Sequence, residues 1–187
     1  MLLIPIGLIF VFFYINVAAG SRTVDILPDA VGYILIAVNA RKFREKSDAF
    51  SRLVILCIVL SVYSIAVRLI VPTGLVGVLL SLLELLLQIY LLRLIVRGIE
   101  DLEHEVGAHL NAKLLDRWRL ALTAGWVASY FGALLDTLLG GIGIVGALIA
   151  AAWAVLCVLF LIVLFRTNHR YQLLMKQEKT ENPDQDE

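Results

Sequence analysis

The sequence predicts an all-α integral membrane protein, a polytopic bundle of about six transmembrane helices arranged as three hairpins. Two observations support this prediction. Of the 187 residues, 60% are hydrophobic and only 17% are charged, and a soluble domain of this length has too little interior to bury so much apolar surface. The charges are also segregated into blocks, and the apolar runs between them approach or exceed the length needed to cross a bilayer.

Six apolar runs can be distinguished, covering residues 2–19, 26–40, 49–71, 74–96, 120–139 and 142–165. Residues 1–166 are therefore the predicted six-helix transmembrane domain, and residues 167–187 are a polar, partly disordered tail. The second run is short for a hydrocarbon core about 30 Å thick, although Arg41 and Lys42 at its end can snorkel to the interface. One alternative stays open: Val17-Ala18-Ala19-Gly20 has the small residues of a signal-peptide cleavage site, and cleavage there would leave five helices.

The basic residues indicate an orientation. They are concentrated in residues 41–52, in residues 97–119 and in the tail, whereas the turns at residues 72–73 and 140–141 carry no charge. Because cytoplasmic loops of membrane proteins carry the excess of Lys and Arg, we expect both termini, and an amphipathic helix at residues 98–119, on the cytoplasmic side. The predicted location is the cell (cytoplasmic) membrane, crossed several times.

A weak tandem repeat is one interpretation of the central hairpins. A shift of 68 residues places Cys57, Ser61, Ser64 and Arg68 on Gly125, Ser129, Gly132 and Asp136. Residues at i, i+4, i+7 and i+11 share one face of a helix, so each hairpin has a stripe of small or polar residues. Repeats of this kind occur in transporters, but small stripes also serve ordinary helix packing, and the sequence leaves both interpretations open.

Ionisable residues within the apolar runs are the strongest functional signal. Glu84 lies near the middle of the fourth run, where a charge costs at least ~2.5 kcal/mol and should face protein or water with a partner. Arg68 is the natural partner across the hairpin, because the axial gap of roughly 9 Å at ~1.5 Å per residue can be closed by two long side chains. Asp136 is a second candidate partner, at nearly the same depth as Arg68.

Asp25 and Asp29 flank Pro28 at the start of the second run, where acidic residues also cap a helix and favour its dipole. In the functional interpretation, Asp29 joins the other ionisable residues in an outward-facing pocket. The candidate ligand-binding residues are Asp29, Arg68, Glu84, Gln88, Asp136 and Asn16. In the structural interpretation, the same cluster holds the helices together.

The sequence gives little support for catalysis. It contains no GxSxG, HExxH, Cys–His or nucleotide-loop motif, and His104 and His109 are five residues apart, so on one helix they diverge instead of sharing a metal. We therefore predict no catalytic residues, no metal ligands and no cofactor, and an intramembrane acid–base enzyme stays a minor alternative. No basic patch with interleaved aromatic residues is present, so nucleic acid is not an expected partner.

The stretch Asp25-Ile-Leu-Pro-Asp-Ala-Val-Gly-Tyr33 resembles a D-x-x-P-D-x-x-G-Y element of small multi-pass bacterial membrane proteins, a family without an assigned function. The resemblance covers residues 16–45 and implies a bacterial cytoplasmic membrane. The sequence thus predicts a small-molecule or ion-binding component of a transport system, with a polar pocket in the outer half of the bilayer. The alternative is a non-catalytic membrane assembly or regulatory protein that binds a partner membrane protein.

Overall fold

The structure, a computed structural model, describes residues 2–13, 16–19, 22–25, 29–70, 74–138 and 144–181. These residues form six helices and one short hairpin of strands. The elements in chain order are α1 (Leu3–Phe12), β1 (Asn16–Ala19), β2 (Arg22–Asp25), α2 (Asp29–Arg41), α3 (Asp48–Ile70), α4 (Gly74–Val106), α5 (Ala112–Leu138) and α6 (Ile144–Glu181).

The helices form a ring. Each packs on the next in sequence, and α1 also packs on α6, which closes the circle. This arrangement confirms the predicted all-α bundle of six helices. Three stretches, Asp48–Ile70, Gly74–Val106 and Ala147–Gln177, are long and apolar enough to cross a membrane. Their outward apolar side chains are exposed, as expected of helices that face lipid instead of water, so the chain has the character of a membrane protein.

The composition of the first apolar run predicted a helix that continues to Ala19, and the structure does not have it. Helix α1 ends at Phe12, and residues 16–19 pair antiparallel with residues 22–25, Asn16 opposite Asp25 and Ala19 opposite Arg22. Residues 20 and 21, between the two strands, lie outside the described residues. Hydropathy alone does not distinguish an apolar strand from the end of an apolar helix.

Helices α1 and α2 cross at two glycines. A Cβ atom on Gly32 would lie 2.6 Å from the carbonyl oxygen of Gly7, and one on Gly7 would lie equally close to the carbonyl oxygen of Gly32. Only residues without a side chain permit so close an approach of two backbones. Gly32 belongs to the D-x-x-P-D-x-x-G-Y element, so one residue of that element has a clear packing role.

The two ends of the ring differ in packing. At the turn end, where α3 ends at Ile70 and α4 begins at Gly74, the apolar side chains are largely exposed. Towards the other end, Leu91, Ile95 and Ile99 of α4 are almost fully buried. Gly98 lies against the ring of Phe50, whose Cζ atom would be 2.7 Å from an added Cβ. The core therefore occupies one half of the bundle and leaves the turn end open.

Residues 98–119 do not form the single amphipathic helix that was predicted. Helix α4 continues to Val106, and α5 begins at Ala112. Gly107 and Asn111 between them have φ angles of 65° and 64°, the left-handed conformation that ends helices and that Gly and Asn adopt most readily. Glu103 accepts a hydrogen bond from the backbone N–H of Ala112 at 2.9 Å and so caps the start of α5.

The three basic segments meet at one end of the bundle, which we call the charged end. Lys46 pairs with Glu105 at 3.2 Å, and the Ser47 hydroxyl donates to the Asp101 carboxylate. The predicted tail begins inside α6, which continues to Glu181; residues 182–187 lie outside the described residues. In α6 the Thr167 hydroxyl donates to the carbonyl of Leu110 at 3.0 Å. The first part of the tail is therefore an ordered helix that packs on the loop between α4 and α5.

Candidate functional site

A cavity of about 580 Å³ lies within the ring, and all six helices contribute to its wall. Its lining residues are Val11, Phe12, Asp29, Ser64, Val67, Arg68, Ser81, Glu84, Leu85, Gln88, Trp126, Ser129, Tyr130 and Trp153. A volume of this size lies within the range of ordinary small-molecule sites. Four of the six predicted site residues, Asp29, Arg68, Glu84 and Gln88, are among them.

An ion pair lies at the edge of the cavity. Arg68 Nη2 donates to Asp29 Oδ2 at 3.1 Å, and the two side chains are 35% and 14% exposed. Asp29 is the first residue of α2 and Arg68 lies in the last turn of α3, so both are at the turn end. The sequence left the partner of Arg68 open between Glu84 and Asp136. In the structure Glu84 lines the same cavity as Arg68 and takes its hydrogen bond from Gln88, whereas the side chain of Asp136 lies outside the described residues.

A second polar group lies deeper. Gln88 Nε2 donates to the buried hydroxyl of Tyr33 at 3.0 Å and to Glu84 Oε1 at 3.4 Å. Tyr33 is fully buried and, like Asp29 and Gly32, belongs to the D-x-x-P-D-x-x-G-Y element. This element therefore supplies an ion-pair partner, a close helix crossing and a buried hydroxyl on one face of α2.

Helical spacing explains why these residues face the cavity. Ser81, Glu84 and Gln88 recur at i, i+3 and i+7 on α4, and Ser64 and Arg68 are four residues apart on α3, so each set shares one face. The opposite faces carry exposed Leu, Ile and Val side chains. The polar face turns inward because a charge or hydroxyl directed at hydrocarbon lacks a partner.

The other wall of the cavity is aromatic, and sequence analysis did not identify it. The ring centroids of Phe12 and Trp126 are 6.0 Å apart, those of Phe12 and Trp153 are 6.2 Å apart, and those of the two tryptophans are 5.7 Å apart. The indole Nε1 of Trp153 is buried and has no hydrogen-bond partner within the described part of the chain. A signal was available, because Trp126 and Ser129 are three residues apart and so share a face with the predicted stripe of α5.

The remaining predicted site residues cannot be placed in the same way. The side chains of Asn16 and Asp136 lie outside the described residues, although the backbones belong to β1 and α5. Across the described residues, no group of three or more His, Cys, Asp or Glu side chains is arranged to hold a metal ion. His109 instead contacts Glu103, with 3.2 Å between Nδ1 and Oε1.

Comparisons with known proteins identify no relatives: no family model, no curated protein and no solved structure matches this chain.

Proposed function

We propose that this chain is the ligand-binding component of a membrane transport system, and that its ligand is a small cation with an apolar part, held in the cavity within the helix ring. The observation that supports this most directly is the composition of the cavity, which combines one carboxylate that forms no ion pair among the described residues and a wall of aromatic rings. The charge and the aromatic wall give separate arguments.

Glu84 is the carboxylate that would bind the cationic group of the ligand. The guanidinium of Arg68 is already engaged with Asp29 at 3.1 Å, so these two opposite charges offset each other. Among the described residues no cationic group lies within ion-pairing distance of Glu84, whose hydrogen-bond donor is the neutral amide of Gln88. A carboxylate in this position favours a cation or a proton as its missing partner.

The aromatic wall favours an organic cation over a bare metal ion. Indole faces attract cations through their quadrupole, by about 0.5–2 kcal/mol according to solvation. The rings of Phe12, Trp126 and Trp153 also offer apolar area to the rest of a ligand. The site has few polar groups on a largely apolar lining, which is the usual composition of small-molecule pockets.

The proposed location is supported by the distribution of charge and by the resemblance of one sequence element. The basic segments lie together at the charged end, and the positive-inside rule assigns that end to the cytoplasm. The cavity then opens towards the outer face, with both termini cytoplasmic. Together with the D-x-x-P-D-x-x-G-Y element, this supports a bacterial cytoplasmic membrane as the setting.

The first experiment is native mass spectrometry of protein extracted gently from its own membrane. We expect a stoichiometric cationic adduct that is absent from Glu84→Gln. The matched control is Glu100→Gln, which removes a carboxylate from the charged end of the same helix. An adduct equally present in Glu84→Gln would contradict the proposal.

A second experiment tests the charge of the ligand with two probes of the same shape. Tetraphenylphosphonium and tetraphenylborate differ mainly in the sign of their charge. We expect the phosphonium to raise the melting temperature of the detergent-purified protein, and the borate to have no comparable effect. The phosphonium effect should be lost in Glu84→Gln and kept in Glu100→Gln. Equal stabilisation by both probes would show that the cavity selects apolar surface and not charge.

The alternative, a non-catalytic assembly or regulatory protein, is favoured by one observation. The Asp29–Arg68 pair joins α2 to α3, and the Tyr33–Gln88 hydrogen bond joins α2 to α4, so both contacts also fix the helices to one another. In that case the native mass spectrum should contain a second polypeptide and no small-molecule adduct.

A further inference from the structure

A second groove lies at the charged end, between α3 and α4. It has a volume of about 670 Å³ and is lined by Glu45, Lys46, Ser47, Asp48, Ala49, Arg52, Tyr90, Arg93, Leu94, Arg97 and Asp101. None of these residues belongs to the cavity within the ring. The groove is therefore separate from the proposed transport site.

Three arginines line this groove, from helices α3 and α4. Arg52, Arg93 and Arg97 are exposed, and across the described ranges they form no ion pair and donate no side-chain hydrogen bond. The fourth basic residue, Lys46, pairs with Glu105. Guanidinium groups from two helices that line one groove are well suited to a planar oxyanion such as phosphate.

The groove also contains three acidic residues, Glu45, Asp48 and Asp101. The Asp101 carboxylate accepts a hydrogen bond from Ser47. Asp48 lies in the first turn of α3, where the helix dipole favours a negative charge. Glu45 is exposed in the loop before it. The four basic and three acidic residues of the lining give a formal net charge of +1, and none of the three carboxylates forms an ion pair with Arg52, Arg93 or Arg97 among the described residues.

The depth of the arginines favours a lipid headgroup as the source of such an oxyanion. Arg93 lies 19 residues after Gly74, where α4 begins, and Arg52 lies 18 residues before Ile70, where α3 ends. At ~1.5 Å per residue these distances are about 29 Å and about 27 Å, close to the ~30 Å thickness of the hydrocarbon core. If α3 and α4 span the bilayer from their shared turn, the arginines reach the headgroup layer of the opposite leaflet. Tyr90 lies one helical turn nearer the hydrocarbon, a usual depth for tyrosine.

We propose that this groove binds the phosphate headgroup of an anionic phospholipid, through Arg52, Arg93 and Arg97. Basic pockets between helices on the cytoplasmic side of membrane proteins take anionic headgroups in this way. The site would fix the charged end of the bundle at the membrane surface. Because it uses none of the residues of the central cavity, its failure would leave the transport proposal untouched.

The test is a lipid titration of the detergent-purified full chain, followed by native mass spectrometry. The probes are phosphatidylglycerol and, as a neutral lipid with the same phosphate, phosphatidylcholine of equal chain length. The groove variant is Arg52→Gln/Arg93→Gln/Arg97→Gln. The control variant, Arg41→Gln/Lys42→Gln/Arg44→Gln, removes the same charge from exposed residues of the neighbouring segment that do not line the groove.

We expect phosphatidylglycerol to bind more tightly than phosphatidylcholine, and the groove variant to lose its affinity by about tenfold or more. The control variant should keep most of its affinity. An equal loss of affinity in both variants would show that binding depends on net charge alone, and the proposed site would then be refuted. Binding of inorganic phosphate alone more tightly than phosphatidylglycerol, and its loss in the groove variant, would also overturn the lipid proposal, since the site would then serve a soluble phosphate. If the triple variant does not fold, Arg97→Gln alone should lose about fivefold, and unchanged binding would refute the proposal.

Discussion

Replacement of Gly32 by alanine should separate helices α1 and α2 and destabilise the protein. The new methyl group would lie 2.6 Å from the carbonyl oxygen of Gly7 and 2.9 Å from Phe10 Cβ and Val11 Cγ2. Ordinary contacts between such atoms are about 3.5–4.0 Å, so α1 must move by nearly an ångström. No rotation of a side chain can relieve the contact with Gly7, because the atom that it meets belongs to the backbone.

The expected magnitude is the difference of two effects. Overpacking of a close contact costs typically about 1–3 kcal/mol, and Gly→Ala in a helix returns about 0.5–1 kcal/mol. We expect Gly32→Ala to lower the free energy of unfolding by about 1–2 kcal/mol. The matched control is Gly132→Ala, where the added methyl meets only the Cδ1 atom of Ile149, at 2.8 Å. That atom ends a flexible side chain, so the control should be neutral or slightly stabilising.

The assay is unfolding of both variants in mixed micelles by titration with a denaturing detergent, alongside the unsubstituted chain. Because each variant adds one methyl group in a helix, the effects on helix propensity and on the unfolded state cancel in the comparison. If Gly32→Ala is as stable as Gly132→Ala, the two backbones do not approach as closely as the geometry requires. The packing role of Gly32 in the D-x-x-P-D-x-x-G-Y element would then be refuted.

Two further predictions concern the polar contacts. Tyr33→Phe removes the hydroxyl that accepts a hydrogen bond from the buried amide of Gln88 at 3.0 Å. In the same titration it should lower the free energy of unfolding by about 1–2 kcal/mol. An unchanged midpoint would mean that the amide finds another acceptor. In a double-mutant cycle of Asp29→Asn and Arg68→Gln, we expect a coupling of about 0.5–1.5 kcal/mol, and additive single effects would show that the pair at 3.1 Å contributes nothing as a pair.

The predicted helix positions agree with the structure where an apolar run is bounded by turns. The third run, residues 49–71, corresponds to α3 from Asp48 to Ile70. The fourth run identifies the start of α4 at Gly74 but not its end, because the helix continues past the apolar residues to Val106. Charged residues such as Glu100 and Asp101 are compatible with a helix outside the bilayer, so hydropathy alone gives the length of the apolar stretch and not that of the helix.

The polar wall of the site could be predicted and the aromatic wall could not. An ionisable residue in an apolar run stands out, and helical spacing then groups Glu84 with Gln88. Tryptophans are common in membrane helices for reasons unrelated to ligands, so the position of Trp126 on the face of the α5 stripe was too weak a signal to identify a binding wall, and Trp153 gave none. The sequence could also not predict that Arg68 pairs with Asp29. This pairing depends on how α2 is placed against α3, which no spacing within one helix determines.

Glu84 distinguishes the two functional interpretations better than any other residue of the cavity. The Asp29–Arg68 and Tyr33–Gln88 contacts join different helices, whereas the hydrogen bond that Glu84 accepts comes from Gln88 on its own helix. A carboxylate without a counter-charge inside a membrane bundle costs free energy and contributes little to holding helices together. Glu84→Gln should therefore leave the unfolding midpoint unchanged or raise it, while abolishing the stabilisation by tetraphenylphosphonium. A clear loss of stability in Glu84→Gln would mean that the carboxylate serves the packing of the bundle, and the assembly interpretation would then be the better one.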